Sequence, residues 1–140
     1  MARYNRINLD GKSVTETRLV AASTAPGSVV FISSGKFAKY ATNGTANAKL
    51  YIVGVDNIQC QTADTALDTD ETGVADYAET GRELAVLVAA TTVLVKDSPL
   101  TPNASGQLRL GVPGTDVIVA HSQEALTVGA AAQLVRVRFA

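Results

Sequence analysis

The residues best placed to hold a hard cation lie between positions 68 and 79. Asp68, Asp70, Thr72, Gly73 and Glu79 occupy places one, three, five, six and twelve of a calcium-loop spacing. Alternate short oxygen-bearing side chains wrap a cation, glycine makes the bend, and the distal glutamate binds through both oxygens. Thr72 stands where an acid or amide is usual, and neither flank carries an amphipathic helix. A solvated acidic loop is therefore the favoured reading, and no metal or cofactor is expected.

Nucleophilic chemistry has few candidates. His121 is the single histidine, with Asp116, Ser122 and Glu124 nearby in sequence. Neighbouring residues on a strand point to opposite faces, so His121 and Ser122 make a poor dyad. No Gly-x-Ser-x-Gly occurs. Cys60 is the only cysteine, which excludes an intrachain disulfide, and one Cys with one His makes no zinc set. Gly11-Lys12-Ser13 and Gly35-Lys36 lack the upstream glycine of a phosphate-binding loop. The expectation is a protein without enzymatic activity.

Contact chemistry is better represented. Arg3, Tyr4, Arg6, Ile7 and Leu9 carry the bulky groups of a polar N-terminal stretch. Arg and Tyr are favoured at protein interfaces, so residues 1–24 read as an extended arm ordered by a partner. Near the other end, Arg136 and Arg138 share one face of a strand. They could meet acidic groups on a partner, or guard an edge strand against aggregation.

The elements that must position these groups are strands. Val and Thr are abundant, and both are β-branched. Of the 140 residues 46% are hydrophobic, enough for a core, but only 5% are aromatic and Trp is absent. Such a core is thin or is completed by a partner. With 18% charged residues and a net charge of -1, nothing favours nucleic acid or an anionic membrane as partner. No apolar run reaches the length of a membrane-spanning helix. The opening residues lack the apolar stretch of a signal peptide, which predicts a chain made and kept inside a cell or exported without a signal.

Short apolar runs alternate with Gly, Pro and Asn turns. Strands are expected at Val29–Ile32, Phe37–Tyr40, Leu50–Val55, Arg82–Ala89, Thr92–Lys96, Gln107–Leu110, Val117–Ala120 and Gln133–Phe139. Pro99-Leu100-Thr101-Pro102 reads as neither helix nor interior strand, because two prolines remove backbone donors. Ser122–Ala132 is the best helix candidate, weakened by Thr127, Val128 and Gly129. The fold class is mainly β: a small β-sandwich or barrel-like, β-tulip-like domain over 25–140. An acidic loop occupies 59–80.

The domain contains a weak repeat between 25–89 and 90–140. Each half runs from an apolar strand through a Ser-Gly-Lys or Ser-Gly-Gln turn to a Val-rich strand and a final strand preceded by a small residue. Phe31-Ile-Ser-Ser-Gly-Lys-Phe, Ile52-Val-Gly-Val, Gly81-Arg-Glu-Leu-Ala-Val-Leu-Val and Val128-Gly-Ala-Ala-Ala-Gln-Leu-Val-Arg-Val carry it. In these segments the chain resembles the capsid decoration, or cement, proteins of tailed bacteriophages, over roughly residues 25–140. The acidic loop and the proline-bounded 99–102 segment are additions to that pattern. The resemblance implies a virion protein, made in the bacterial host cytoplasm, that binds the outer capsid surface. It would bind the major capsid protein as a trimer, or else a dimer, and stabilise contacts between subunits. Its contact residues would be Arg3, Tyr4, Arg6, Ile7, Leu9, Arg136 and Arg138. The competing reading is a carbohydrate- or calcium-dependent ligand-binding β module, for which exposed aromatic platforms are few.

Overall fold

A computed structural model describes residues 3–11, 14–44, 48–56 and 59–140. Met1, Ala2, Lys12 and Ser13 of the N-terminal stretch lie outside the described residues, as do 45–47 and 57–58.

Among the described residues the chain is all β. In order, the strands are β1 (Thr15–Leu19), β2 (Val29–Ser33), β3 (Lys36–Lys39), β4 (Tyr51–Val53), β5 (Thr72–Tyr77) and β6 (Glu83–Val88). They continue as β7 (Val93–Leu94), β8 (Pro99–Pro102), β9 (Leu108–Leu110), β10 (Ala120–Ser122), β11 (Leu126–Thr127) and β12 (Gln133–Phe139).

Two β units result. The first is a sheet in the order β1-β5-β4-β2-β3, antiparallel throughout. Its hairpin between β2 and β3 turns on Ser34 and Gly35, with φ of 50° and 77°. Two successive positive φ values give the turn twist that suits a two-residue hairpin. The sheet curls until its far ends meet at an isolated bridge, Val20 with Phe37. The second unit is a closed barrel, β10-β12-β6-β9-β8, in which only the β6–β9 contact is parallel. β7 and β11 form a separate short ribbon.

The main core joins the two units. Val29, Tyr40 and Ile52 of the sheet unit pack with Leu84, Val86, Leu100, Leu108, Val135 and Val137 of the barrel. Side chains alternate along β2, so Val29 enters this shared core while Val30 enters a second cluster. That second cluster, with Val20, Phe37, Tyr51, Val53, Leu67 and Ala75, fills the curl of the sheet.

Several expectations need correction. Residues 15–19 are a paired strand and Val20 is fully buried, so the arm does not extend to residue 24. Pro99–Pro102 is a strand inside the barrel. Its prolines sit at the ends, where their carbonyls accept from Gly111 and Gly44 at 2.9 Å, leaving Leu100 and Thr101 as the interior of the strand. Ser122–Ala132 is not helical: it ends β10, forms β11 and turns back toward β12. The β-branched Thr127 and Val128 favour the extended chain. The strand expected at Val117–Ala120 lies later, at Ala120–Ser122.

The chain passes from the sheet to the barrel between Tyr77 and Glu83. The two closing segments of the repeat, in β6 and β12, are partners in one ladder, pairing Val86 with Val135 and Leu84 with Val137.

Candidate functional site

Residues 3–10 lie against β6 rather than away from the body. The Ala85 N–H donates to the Ile7 carbonyl at 2.8 Å and the Leu9 N–H donates to the Glu83 carbonyl at 3.2 Å. Ile7 is 2% exposed and belongs to the shared core. Leu9 is half-buried against the same core. Neither can serve as a free contact residue in this conformation, because burial inside the fold removes it from any partner.

This docking carries Arg3 and Tyr4 to the outer face of β12. Arg3 donates to both carboxylate oxygens of Glu124, at 2.8 and 3.1 Å, and stands 5.6 Å from the centre of the Tyr4 ring. Glu124 also accepts the Arg136 backbone N–H at 2.8 Å. One strand over, Arg136 and Arg138 both donate to Glu83, because the β6–β12 register sets Arg138 opposite Glu83. Thus Arg3, Tyr4, Arg136 and Arg138, far apart in sequence, meet around Glu83 and Glu124.

The electrostatics follow from these contacts. Burial opposes the charge on Glu124, but hydrogen bonds from Arg3, the Arg136 backbone and Tyr4 outweigh it and lower its pKa. Burial first, then its bond to Glu124, pushes the Tyr4 hydroxyl up to about 12. Hydrogen bonds from Arg136 and then Arg138 lower Glu83. The arginine pair is therefore held by internal partners. β12 is also flanked on both sides by β10 and β6, so the pair does not guard a free edge.

The calcium-loop spacing does not become a calcium loop. Thr72 to Tyr77 is β5, which runs extended for about 20 Å where a cation loop must curl. Asp70 is an ion partner of Lys36 at 2.6 Å. Among the described residues no group of three or more His, Cys, Asp or Glu is gathered to hold a metal. His121 is half-buried on β10 beside Lys96, Gln123 and Arg138. Ser122 is fully buried, and its hydroxyl donates to the Glu124 carbonyl at 2.7 Å.

Two features escape the sequence reading. One is the end of β9 and the connection after it, where Leu110, Val112 and Val117 are 40%, 58% and 49% exposed. Asp116 holds this connection in shape. It accepts two hydrogen bonds from Arg109 and one from the Val112 N–H, which lower its pKa. Valines flanking the Pro113-Gly114 turn were the available signal.

The other is a cleft of about 540 Å³ between residues 6–11 and the β1–β5 face. Asp76 lines it, with a side chain only 9% exposed. Burial raises the Asp76 pKa, and Arg82 and Asn8 offset only part of that rise. Reading 59–80 as one acidic loop hid Asp76, because its burial depends on β4 and the N-terminal segment.

Fold and geometry define an all-β protein in which a curled sheet and a closed barrel share a core. No family model matches the chain, and no curated protein is significantly similar to it. No helix among the described residues is long and apolar enough to cross a membrane.

Proposed function

We propose that this protein is a structural component of a bacteriophage virion. It binds the outer surface of the assembled capsid and stabilises contacts between major capsid subunits. One observation carries the reading: Arg3, Tyr4, Arg136 and Arg138 converge on one surface although they come from opposite ends of the chain. Arg and Tyr anchor protein interfaces, and here Glu83 and Glu124 hold them in place before any partner arrives. Little side-chain order remains to be lost on binding. The exposed apolar connection at 110–117 supplies a second kind of contact surface. The protein acts as an oligomer, a trimer by preference, so that weak contacts at each copy add through multivalency.

The test is occupancy on undecorated heads. Arg136→Gln with Arg138→Gln should cut occupancy at least ten-fold, equivalent to about 1.4 kcal/mol, while the protein stays folded at the assay temperature, because half-exposed pairs contribute little to stability. Wild-type protein that leaves heads bare would end the proposal.

A further inference from the structure

The cleft over β5 has the chemistry of a binding site that the capsid reading does not use. Its accessible apolar wall comes from Val55 and Val74, because Ile7 and Leu67, which also line it, are core residues, and Thr17 and Thr72 add polar groups. Arg6 and Asp56, of opposite sign, also line it. Its volume falls in the range of small-ligand pockets.

The decisive group is Asp76. The register sets it opposite Thr15 and Ile52, on the sheet face that meets the N-terminal segment. Both contacts of its carboxylate use the same oxygen. Asn8 Nδ2 donates to Oδ1 at 3.3 Å, and Arg82 Nη2 stands 3.7 Å from Oδ1. That guanidinium lies nearer Asp10, with Nε at 3.0 Å from Asp10 Oδ2. Asp76 Oδ2 has no hydrogen-bond partner among the described residues. Solvent still reaches that oxygen from the cleft, so a donor entering the cleft would replace water on it.

We propose that this cleft binds a primary alkylammonium group, with the ammonium on Asp76 Oδ2 and the alkyl chain along Val55 and Val74. A guanidinium binds best through two parallel hydrogen bonds to two oxygens, and Asp76 has one to offer. An ammonium is a compact point donor and needs only one. The apolar wall takes methylenes and gives a neutral or branched polar ligand no advantage. The ammonium comes either from a free aliphatic amine or from a lysine side chain of another protein.

The experiment is a ¹⁵N–¹H titration of the full chain with n-pentylamine at neutral pH, beside 1-pentanol, pentylguanidine and an end-blocked lysine. Pentylammonium should shift the amides of Thr17, Val74 and Asp76 saturably, with at least ten-fold weaker binding for 1-pentanol and pentylguanidine. Asp76→Asn, nearly the same shape, should abolish the response. Thr17→Phe, which fills the cleft from an exposed strand position, should abolish it with Asp76 intact. Blocked lysine binding as well as pentylamine assigns the site to a partner's side chain, whereas binding of the free amine alone assigns it to a small molecule. Equal shifts with 1-pentanol, an unchanged response in both variants, or no shift at tens of millimolar amine would overturn the proposal. Head occupancy does not enter these readouts, so the capsid reading stands or falls separately.

Discussion

In the barrel every strand has a hydrogen-bonded neighbour on each side, whereas β1 and β3 of the sheet share no ladder and meet at the bridge from Val20 to Phe37. The barrel closes by backbone, and its interior is almost wholly aliphatic, with Leu84, Val86, Leu100, Leu108, Val135 and Val137. The curl of the sheet closes by side chains. Phe37, Tyr51 and Tyr77 pack in tilted and edge-to-face contacts, at centroid distances of 5.8 and 5.3 Å, to fill it. Seven aromatics serve the whole chain, and only Phe139 lies in the barrel. A five-stranded barrel is narrow enough for branched aliphatics to fill, while an incompletely closed sheet needs larger side chains to cover its inner face.

That difference can be broken at graded cost. Leu108→Ala, at a fully buried barrel position, should lower stability by about 3 kcal/mol, with one cooperative transition in chemical denaturation. Separate transitions for sheet and barrel probes would contradict a shared core. Gly27→Ala strikes the joint between the units. Gly27 has a φ of 87°, its N–H donates to Val53 of the sheet and its carbonyl accepts from Leu87 of the barrel, so it bonds to both units. An added Cβ would stand 2.3 Å from the Leu134 side chain. The expected loss is about 2 kcal/mol by thermal unfolding.

Acid should separate two kinds of carboxylate. Glu83, Glu124 and Asp116 are lowered, so their stabilisation is present above their ordinary range near 4 and is lost as pH falls through the lowered values. Asp76 is raised, so its contribution is present below its ordinary value of 3.8 and is lost as pH rises through the raised value. Asp76→Asn should therefore melt higher than wild type at neutral pH and lose that advantage near pH 3. A lower melting temperature at neutral pH would show that Arg82 depends on the Asp76 charge. The smallest effect is expected at Arg138→Ala, about 0.5 kcal/mol, because its partner Glu83 keeps Arg136 and the pair is half exposed.

Much of this architecture was legible as residue pattern. Lys36–Lys39 and Gln133–Phe139 are strands almost as the alternation predicts, and Ser34-Gly35 turns as its residue types require. β1 was not legible. Glu16 and Arg18 alternate with Thr15 and Thr17, so no apolar face shows, yet β5 pairs with the whole strand. β8 was hidden by its prolines, whose position at the strand ends no local rule reveals. Of the candidate site, the residue types of Arg3, Tyr4, Arg136 and Arg138 were visible; their meeting was not, because it depends on Ile7 entering a core built from strands far along the chain.

Local chemistry by itself determined that this chain is β: branched residues in short runs, punctuated by turn formers, leave little else for the backbone to do. Only tertiary structure decided which strands pair, which of Arg136 and Asp76 is exposed, and whether the N-terminal residues lie free or docked. Those outcomes depend on contacts between residues tens of positions apart, and desolvation is a property of the space a side chain enters, not of its neighbours in sequence.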